Sequence, residues 1–219
     1  MLLTHRSCVA GRSAQPFRKW HESCVILIGT GFMFVEIAAM QRLVLLLGDP
    51  VHGFAVTLAA FLAFAGIGSG VAARLDAARS ADGGAWTPGV GLVAFAIAGL
   101  AALHALVGPW LLAPDSGLGA APRAVLAAAM IAPLAFCMGL PFPLVLARLR
   151  MAAPALVPWA WGVNGCASVV AAVLAGLLAM SFGARRLTAL SVLAYMLAAF
   201  VQRGVRPPGA GEPSRNHHR

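Results

Sequence analysis

Long apolar stretches alternate with short polar connections along most of this chain. The six apolar segments span residues 24–47, 51–75, 88–113, 121–146, 155–182 and 187–201. A helix needs about 20 apolar residues to cross the hydrocarbon core of a bilayer. The last segment is the shortest, and its helix could begin earlier. The pattern predicts an all-α integral membrane protein, built as a bundle of six transmembrane helices.

The connections between these segments carry residues that favour turns. They fall at residues 48–50, 82–84, 114–117, 151–154 and 183–186, and they predict hairpins between consecutive helices. Three regions follow, namely a basic N-terminal segment at residues 1–23, the six-helix domain at 24–202, and a tail at 203–219. The tail is rich in Pro and Gly and poor in apolar residues, so we expect it to be disordered.

Composition leads to the same class of protein. The chain is 60% hydrophobic and 11% charged, whereas soluble domains contain about 45–50% apolar and about 25% charged residues. No stretch of about 100 residues is left for a soluble catalytic domain. The net charge of +9 comes from basic residues at helix ends, which is a topology signal. We therefore expect the lipid bilayer, and no nucleic acid, as a partner.

Lys and Arg are unevenly distributed between the two sets of predicted connections. Twelve of the sixteen basic residues fall at the two termini or flank the second and fourth connections, whereas only Arg123, Arg185 and Arg186 fall on the other side. Cytoplasmic loops carry such an excess, so both termini are predicted to be cytoplasmic. Arg148 and Arg150 count here as topological anchors. The first apolar run is too long for a signal-peptide core, and we interpret it as an uncleaved helix.

The first helix contains three polar residues, Glu36, Gln41 and Arg42. An ionisable group near the bilayer centre costs roughly 2.5–3.5 kcal/mol on insertion scales, so it usually faces protein or water. We take these residues as candidate ligand-binding residues. Glu36 either faces a cavity, where it binds a cation or relays a proton, or it bonds to Asn164, Ser168 or a backbone carbonyl. Arg42 lies near the outer end, where its side chain can reach lipid headgroups.

The fourth and fifth helices contain further candidates. Gly139, Pro141 and Pro143 predict a break in the fourth helix, because proline removes a backbone donor. Transporters use such breaks to hold ions and substrates, but breaks also occur where no ligand binds. Trp161 is either an interfacial anchor or part of an aromatic cage for a cation, and Asn164 is a candidate for hydrogen bonding between helices.

Two further patterns have structural interpretations. Gly66 and Gly70 form a small-residue step that we expect to pack inside the bundle rather than between two chains. The four cysteines have no metal-ligand spacing. No motif of a hydrolase, kinase or metalloprotease is present, so we expect neither an enzyme nor a cofactor or metal site.

Three blocks of sequence carry a resemblance to a known family. They are residues 31–70, with GFMFVEI, QR, LGDP and GIGSG, residues 136–149, FCMGLPFPLVLARL, and residues 157–169, VPWAWGVNGCASV. They resemble the membrane region of bacterial proteins that fuse a multi-helix domain to a spermidine-synthase-like domain. That region is described as similar to the major facilitator superfamily, so the six helices would resemble half of such a transporter.

The resemblance implies a multi-pass protein of the bacterial inner membrane with two possible roles. One is a transporter-like or ligand-binding module linked to polyamines or other organic cations. The other is a non-transporting module that anchors a synthase-like partner enzyme or assembles with a second six-helix module. None of the printed residues resembles a synthase domain, so we expect no synthase activity from them.

Overall fold

A computed structural model describes residues 4–82, 89–111 and 119–203, and within these ranges it contains helices and no strand. The helices are α1 (Thr4–Leu47), α2 (Pro50–Asp82), α3 (Val90–Leu111), α4 (Ala120–Met138), α5 (Pro141–Ala152), a 3-10 turn (Pro154–Leu156) and α6 (Val157–Arg203). The predicted all-α class is confirmed. Helix α1 begins well before the predicted span of residues 24–47, and it includes most of the basic N-terminal segment.

Within the described ranges, four helical stretches are long and apolar enough to cross a membrane. They are His21–Leu45, Pro50–Ala78, Ala121–Ala152 and Pro154–Gln202, and Val90–Leu106 is a shorter apolar helix. Large apolar side chains, among them Leu62, Ile67, Val173 and Met180, are exposed on the outside of the bundle. An apolar exterior of this kind suits lipid, so the architecture is that of a multi-pass helical membrane protein.

Helices α1 and α2 form a hairpin around a short turn. Gly48 has a φ of +69°, a conformation that glycine adopts without steric cost. The side chain of Asp49 accepts a hydrogen bond of 2.8 Å from the backbone N–H of Val51. It also bonds to His52, which together with Val51 holds the pKa of the Asp49 carboxyl below its usual range. The predicted turn at residues 48–50 is present, and α2 runs antiparallel to α1.

Helix α6 is not one straight rod. Its 47 residues would extend about 70 Å at 1.5 Å per residue, against about 30 Å of hydrocarbon. Gly183, with φ 79° and ψ 162°, is non-helical and divides α6 into a first limb (residues 157–182) and a second limb (residues 184–203). The predicted connection at 183–186 is therefore too long, since residues 184–186 are already helical.

The first limb lies beside α1 and runs in the same direction. Near its start, the indole N–H of Trp159 donates to the carboxylate of Glu22 over 2.9 Å. One to two turns later, Asn164 lies against Gly29. Farther along, Ala175 of the first limb packs in one buried cluster with Phe34. Along these contacts the residue numbers increase in the same direction in both helices, so the first limb is parallel to α1.

The second limb lies against α1 in the opposite direction. The guanidinium of Arg42 bonds to the hydroxyl of Thr188, whereas Tyr195, farther along the limb, lies against Gly31. Residue numbers on α1 fall as those on α6 rise. The chain therefore reverses direction at Gly183, and both limbs pack along α1.

The break between α4 and α5 coincides with the closest helix contact in this part of the bundle. Helix α4 ends at Met138 and α5 begins at Pro141. A Cβ atom added to Gly139 would collide with the backbone carbonyl of Ala65 on α2, and one added to Gly68 would collide with the carbonyl of Phe136. Glycine at both positions lets the two backbones touch.

The predicted packing role of Gly66 and Gly70 is wrong. A Cβ atom at either position would meet no atom within 4 Å. The α2 face that approaches α4 carries Gly68 instead, about 160° away from Gly66 and Gly70 around the helix at 100° per residue. The small-residue step is therefore on the outside of the bundle.

Of the remaining predicted connections, the structure describes some residues and not others. Helix α5 and the 3-10 turn reduce the predicted connection at 151–154 to Ala153. Asp82 ends α2, whereas Gly83, Gly84, the predicted turn at 114–117 and the tail from residue 204 lie outside the described residues.

Candidate functional site

A cavity of about 520 Å³ lies between α1, α2, the α4–α5 break and the first limb of α6. This volume falls within the range of about 300–1,000 Å³ that is typical of small-molecule sites. Its walls include Gly29 and Phe32 of α1, Ser69 of α2, Gly139 of the break, and Trp161 and Asn164 of α6. Four separate elements therefore contribute to one site.

The polar wall of the cavity is formed where α6 approaches α1. A Cβ atom on Gly29 would lie 2.7 Å from Oδ1 of Asn164 and 2.9 Å from the hydroxyl oxygen of Ser168, so only glycine leaves room for both side chains. Oδ1 of Asn164 is buried and has no hydrogen-bond partner among the described residues. Because buried polar atoms are usually paired, this oxygen is an acceptor available to a ligand.

The aromatic wall lies between α5 and α6. The rings of Phe142 and Trp161 meet edge to face, with centroids 4.8 Å apart and an interplanar angle of 88°. Trp161 is 58% exposed, so its ring reaches the margin of the cavity as well as its wall. Such rings can pack on an alkyl chain or attract a cation with their faces.

The helix break supplies a backbone acceptor. Gly139 and Pro143 both line the cavity. In a continuous helix the N–H of residue 143 would bond to the carbonyl of residue 139, but proline has no N–H to donate. The Gly139 carbonyl therefore lacks its helical donor at the cavity wall. Pro141 is buried in the core and is not part of the wall.

The charge of the cavity is concentrated at one end. Arg150 is the charged residue that lines it, and its guanidinium lies 3.8 Å from a carboxylate oxygen of Asp76. The pair lies at the end of the bundle where α2 and α5 finish. The Asp76 carboxylate therefore offsets the charge of Arg150 at this end of the cavity.

Glu36 is buried, with 7% of its surface exposed, but it does not line the cavity. It follows Phe32 by four residues and so lies one turn beyond it on the same face of α1. The Phe32 ring meets Phe61 of α2 edge to face at 5.9 Å. No hydrogen bond or ion pair joins the Glu36 carboxylate to any residue within the described ranges.

The predicted proximity of Glu36 to Asn164 is wrong. Asn164 lies level with Gly29, which is seven residues, or about 10 Å along the axis, before Glu36. The interpretation of Glu36 as a packing residue bonded to Asn164 or Ser168 fails for the same reason. Glu36 is a buried carboxylate that lies one turn of α1 beyond the cavity-lining residue Phe32.

Arg42 and Gln41 lie farther still from the cavity. The Arg42 guanidinium donates to the hydroxyl of Thr188 over 3.2 Å, at the end of the bundle where α6 reverses. Gln41 is half-buried beside it on α1. The structure thus brings together Trp161, Asn164, Gly139 and Pro143, and leaves Glu36, Gln41, Arg42 and Pro141 outside the wall.

Several wall residues were missed by the sequence interpretation. Phe32 and Met33 look like ordinary apolar residues of a membrane helix, and Ser69 and Ser168 like ordinary small ones. Arg150 was assigned to topology alone. The GIGSG block does place Ser69 beside Gly68, the residue at the closest helix contact, and this was the one available signal.

Comparison with known proteins adds no relative. No family model matches the chain, and neither a curated protein nor a solved structure matches it. Within the described ranges, no group of three or more His, Cys, Asp or Glu residues could hold a metal ion. Fold and cavity therefore define the class, a multi-pass helical membrane protein with a ligand-sized cavity inside its bundle.

Proposed function

We propose that this chain is a six-span membrane module that binds a small organic ligand in the cavity, as a transporter-like or ligand-binding protein. The observation that carries the proposal is the cavity itself, in which an unpaired amide oxygen, an aromatic pair and a broken helix meet. Transporters place substrates beside interrupted helices near the bilayer midplane. The α4–α5 break likewise lies beside the cavity and lines it with Gly139 and Pro143.

The ligand class that we propose is a polyamine or another organic cation. The Asn164 oxygen and the Gly139 carbonyl can accept hydrogen bonds from ammonium groups, and the Trp161 ring can attract their charge. Glu36, one turn deeper, is the carboxylate that a long cation could reach if Phe32 moves aside. The resemblance to the membrane region of spermidine-synthase-like fusion proteins supports the same class.

Six spans require that α6 crosses the bilayer twice. Its first limb of residues 157–182 would be about 39 Å long and its second limb of residues 184–203 about 30 Å, and each length suffices for one crossing. Together with the bias in basic residues, this supports cytoplasmic termini in a bacterial inner membrane, and a likeness to half of a major facilitator-type transporter.

Reporter fusions at Arg79, Asp115, Arg186 and Arg206 test the topology. We expect cytoplasmic, external, external and cytoplasmic signals, respectively, because consecutive spans alternate in direction. The pair Arg186 and Arg206 is decisive, since only the second limb separates them. The same signal at both positions would rule out the sixth span.

Substitution of Glu36 tests the proposed ligand. Glu36→Leu is expected to raise the melting temperature of the ligand-free protein, because an unpaired buried polar group costs on the order of 1–3 kcal/mol. The same variant should bind spermidine at least tenfold more weakly, since the deepest anionic group is gone. Melting temperature and equilibrium binding on the purified protein are the two readouts.

Glu36→Gln is the matched control for shape. It keeps the size and hydrogen-bonding capacity of the side chain but removes its charge, so we expect normal folding and the same loss of spermidine binding. If both variants bind spermidine as the unsubstituted protein does, the carboxylate takes no part in the site. If Glu36→Leu instead unfolds the protein, Glu36 is a packing residue.

A second candidate function rests on a different observation. Gly66 and Gly70 leave an open, small-residue step on the outside of α2, and such steps let transmembrane helices approach closely. This face suits a module that anchors or assembles with a synthase-like partner or a second six-helix module. A purely assembling module would bind no spermidine, so the Glu36 experiment also distinguishes the two candidates.

A further inference from the structure

Cationic side chains gather at the end of the bundle opposite Arg150. Arg42 lies near the end of α1, and Arg185 and Arg186 follow the reversal at Gly183. Arg42 bonds to Thr188, and Thr188 follows Arg185 by three residues, so Arg185 lies about one turn from this contact on the same side of the second limb. The end of α1 and the start of the second limb therefore form one electropositive cluster.

The orientation of Arg42 is fixed by a chain of hydrogen bonds. The hydroxyl of Thr188 donates its proton to the carbonyl of Ala184 over 2.9 Å. Its lone pair is thus free to accept from the guanidinium of Arg42, at 3.2 Å. Arginine has five N–H donors, so one bond to Thr188 leaves most of the guanidinium available.

The cluster has no anion of its own in the part of the chain that the structure describes. No carboxylate there forms an ion pair with Arg42, Arg185 or Arg186. Glu36 lies about 9 Å along the axis from Arg42, and Asp49 is bonded to His52. Arg42 is half-buried, and a charge in such a place is normally paired.

We propose that Arg42 and Arg185, with Thr188 as the orienting hydroxyl, bind a phosphate group at the outer end of the bundle. Guanidinium groups bind phosphate oxygens with two parallel hydrogen bonds. Because the cluster lies at a helix end, the group belongs either to the headgroup of an anionic phospholipid or to free phosphate. The site is separate from the cavity and does not depend on the proposed ligand.

This site also accounts for an anomaly in the charge distribution. Arg185 and Arg186 lie on the predicted external side, where the bias in basic residues is otherwise low. Arg186 already stacks on the ring of Phe182 at 5.7 Å, which leaves Arg185 as the partner of Arg42. A binding role explains why the exposed Arg185 lies there.

The experiment compares melting temperatures of the full chain in a neutral detergent. One arm adds phosphatidylglycerol, one adds phosphatidylcholine, and one adds inorganic phosphate against chloride at equal ionic strength. We expect phosphatidylglycerol, inorganic phosphate or both to raise the melting temperature, and phosphatidylcholine to raise it less. An effect of the lipid alone assigns the group to a headgroup, and an effect of inorganic phosphate shows that the anion suffices.

The variants Arg42→Gln and Arg185→Gln should each lower the affinity for the stabilising lipid or phosphate at least tenfold. Arg42→Lys should lower this affinity less than Arg42→Gln. Arg185 is exposed, so its variant should fold even if Arg42→Gln does not. Arg74→Gln removes an exposed arginine at the other end and should change nothing. Absence of any stabilising anion, or an equal loss in Arg74→Gln, would overturn the site.

Discussion

Alanine at position 139 or 68 is expected to destabilise the protein more than any other single methyl group added in the described bundle. The new Cβ would collide with a backbone carbonyl on the facing helix, that of Ala65 or of Phe136. A backbone atom cannot rotate aside as a side chain can, so α2 and the α4–α5 break must separate. Overpacking typically costs about 1–3 kcal/mol, and we expect both variants at the upper end or beyond.

The matched controls lie on the same helix. Gly66→Ala and Gly70→Ala add the same methyl group where nothing lies within 4 Å. Alanine is also favoured over glycine inside a helix by up to about 1 kcal/mol, so these variants should be neutral or slightly more stable. Thermal unfolding of all four purified variants makes the comparison. Equal losses in all four would mean that α2 does not meet the break through Gly68.

Local features of the sequence were enough to predict a chain built of helices. The lengths of the apolar segments gave the all-α class, since a bilayer forces backbone groups to bond within their own segment. The missing N–H groups of Pro141 and Pro143 located the break, because that effect acts within one turn. Gly183 was expected in a loop, but the structure needs only its single positive φ to reverse the chain.

The composition of the cavity could not be predicted in the same way. In a soluble helix the apolar stripe shows which face points inward, but lipid is as apolar as a protein core, so a membrane helix carries no such stripe. Glu36 and Asn164 were therefore paired by their chemistry. Their relative position along the helix axis is set instead at Gly29, where Asn164 of α6 lies against α1.

Ala73→Trp is the substitution with the largest expected effect on function. Ala73 lines the cavity but is exposed at its margin, so an indole can be added without disturbing the core. The bulk would occupy space between α2 and the first limb of α6. We expect at least a tenfold loss of ligand affinity with an unchanged melting temperature.

Ala77→Trp provides the control for this substitution. Ala77 is exposed one turn farther along α2 and does not line the cavity, so the same indole should leave binding intact. Both variants add one tryptophan to the same helix near the same end. A difference between them is therefore a property of the cavity and not of the membrane surface.

Equilibrium binding of labelled spermidine to the full chain in phosphatidylcholine nanodiscs tests directly whether this cavity is an organic-cation site. We expect saturable binding to the unsubstituted protein and to Ala77→Trp, and at least tenfold weaker binding to Ala73→Trp. Absence of saturable binding to the unsubstituted protein, or equal affinity in the two tryptophan variants, would contradict it.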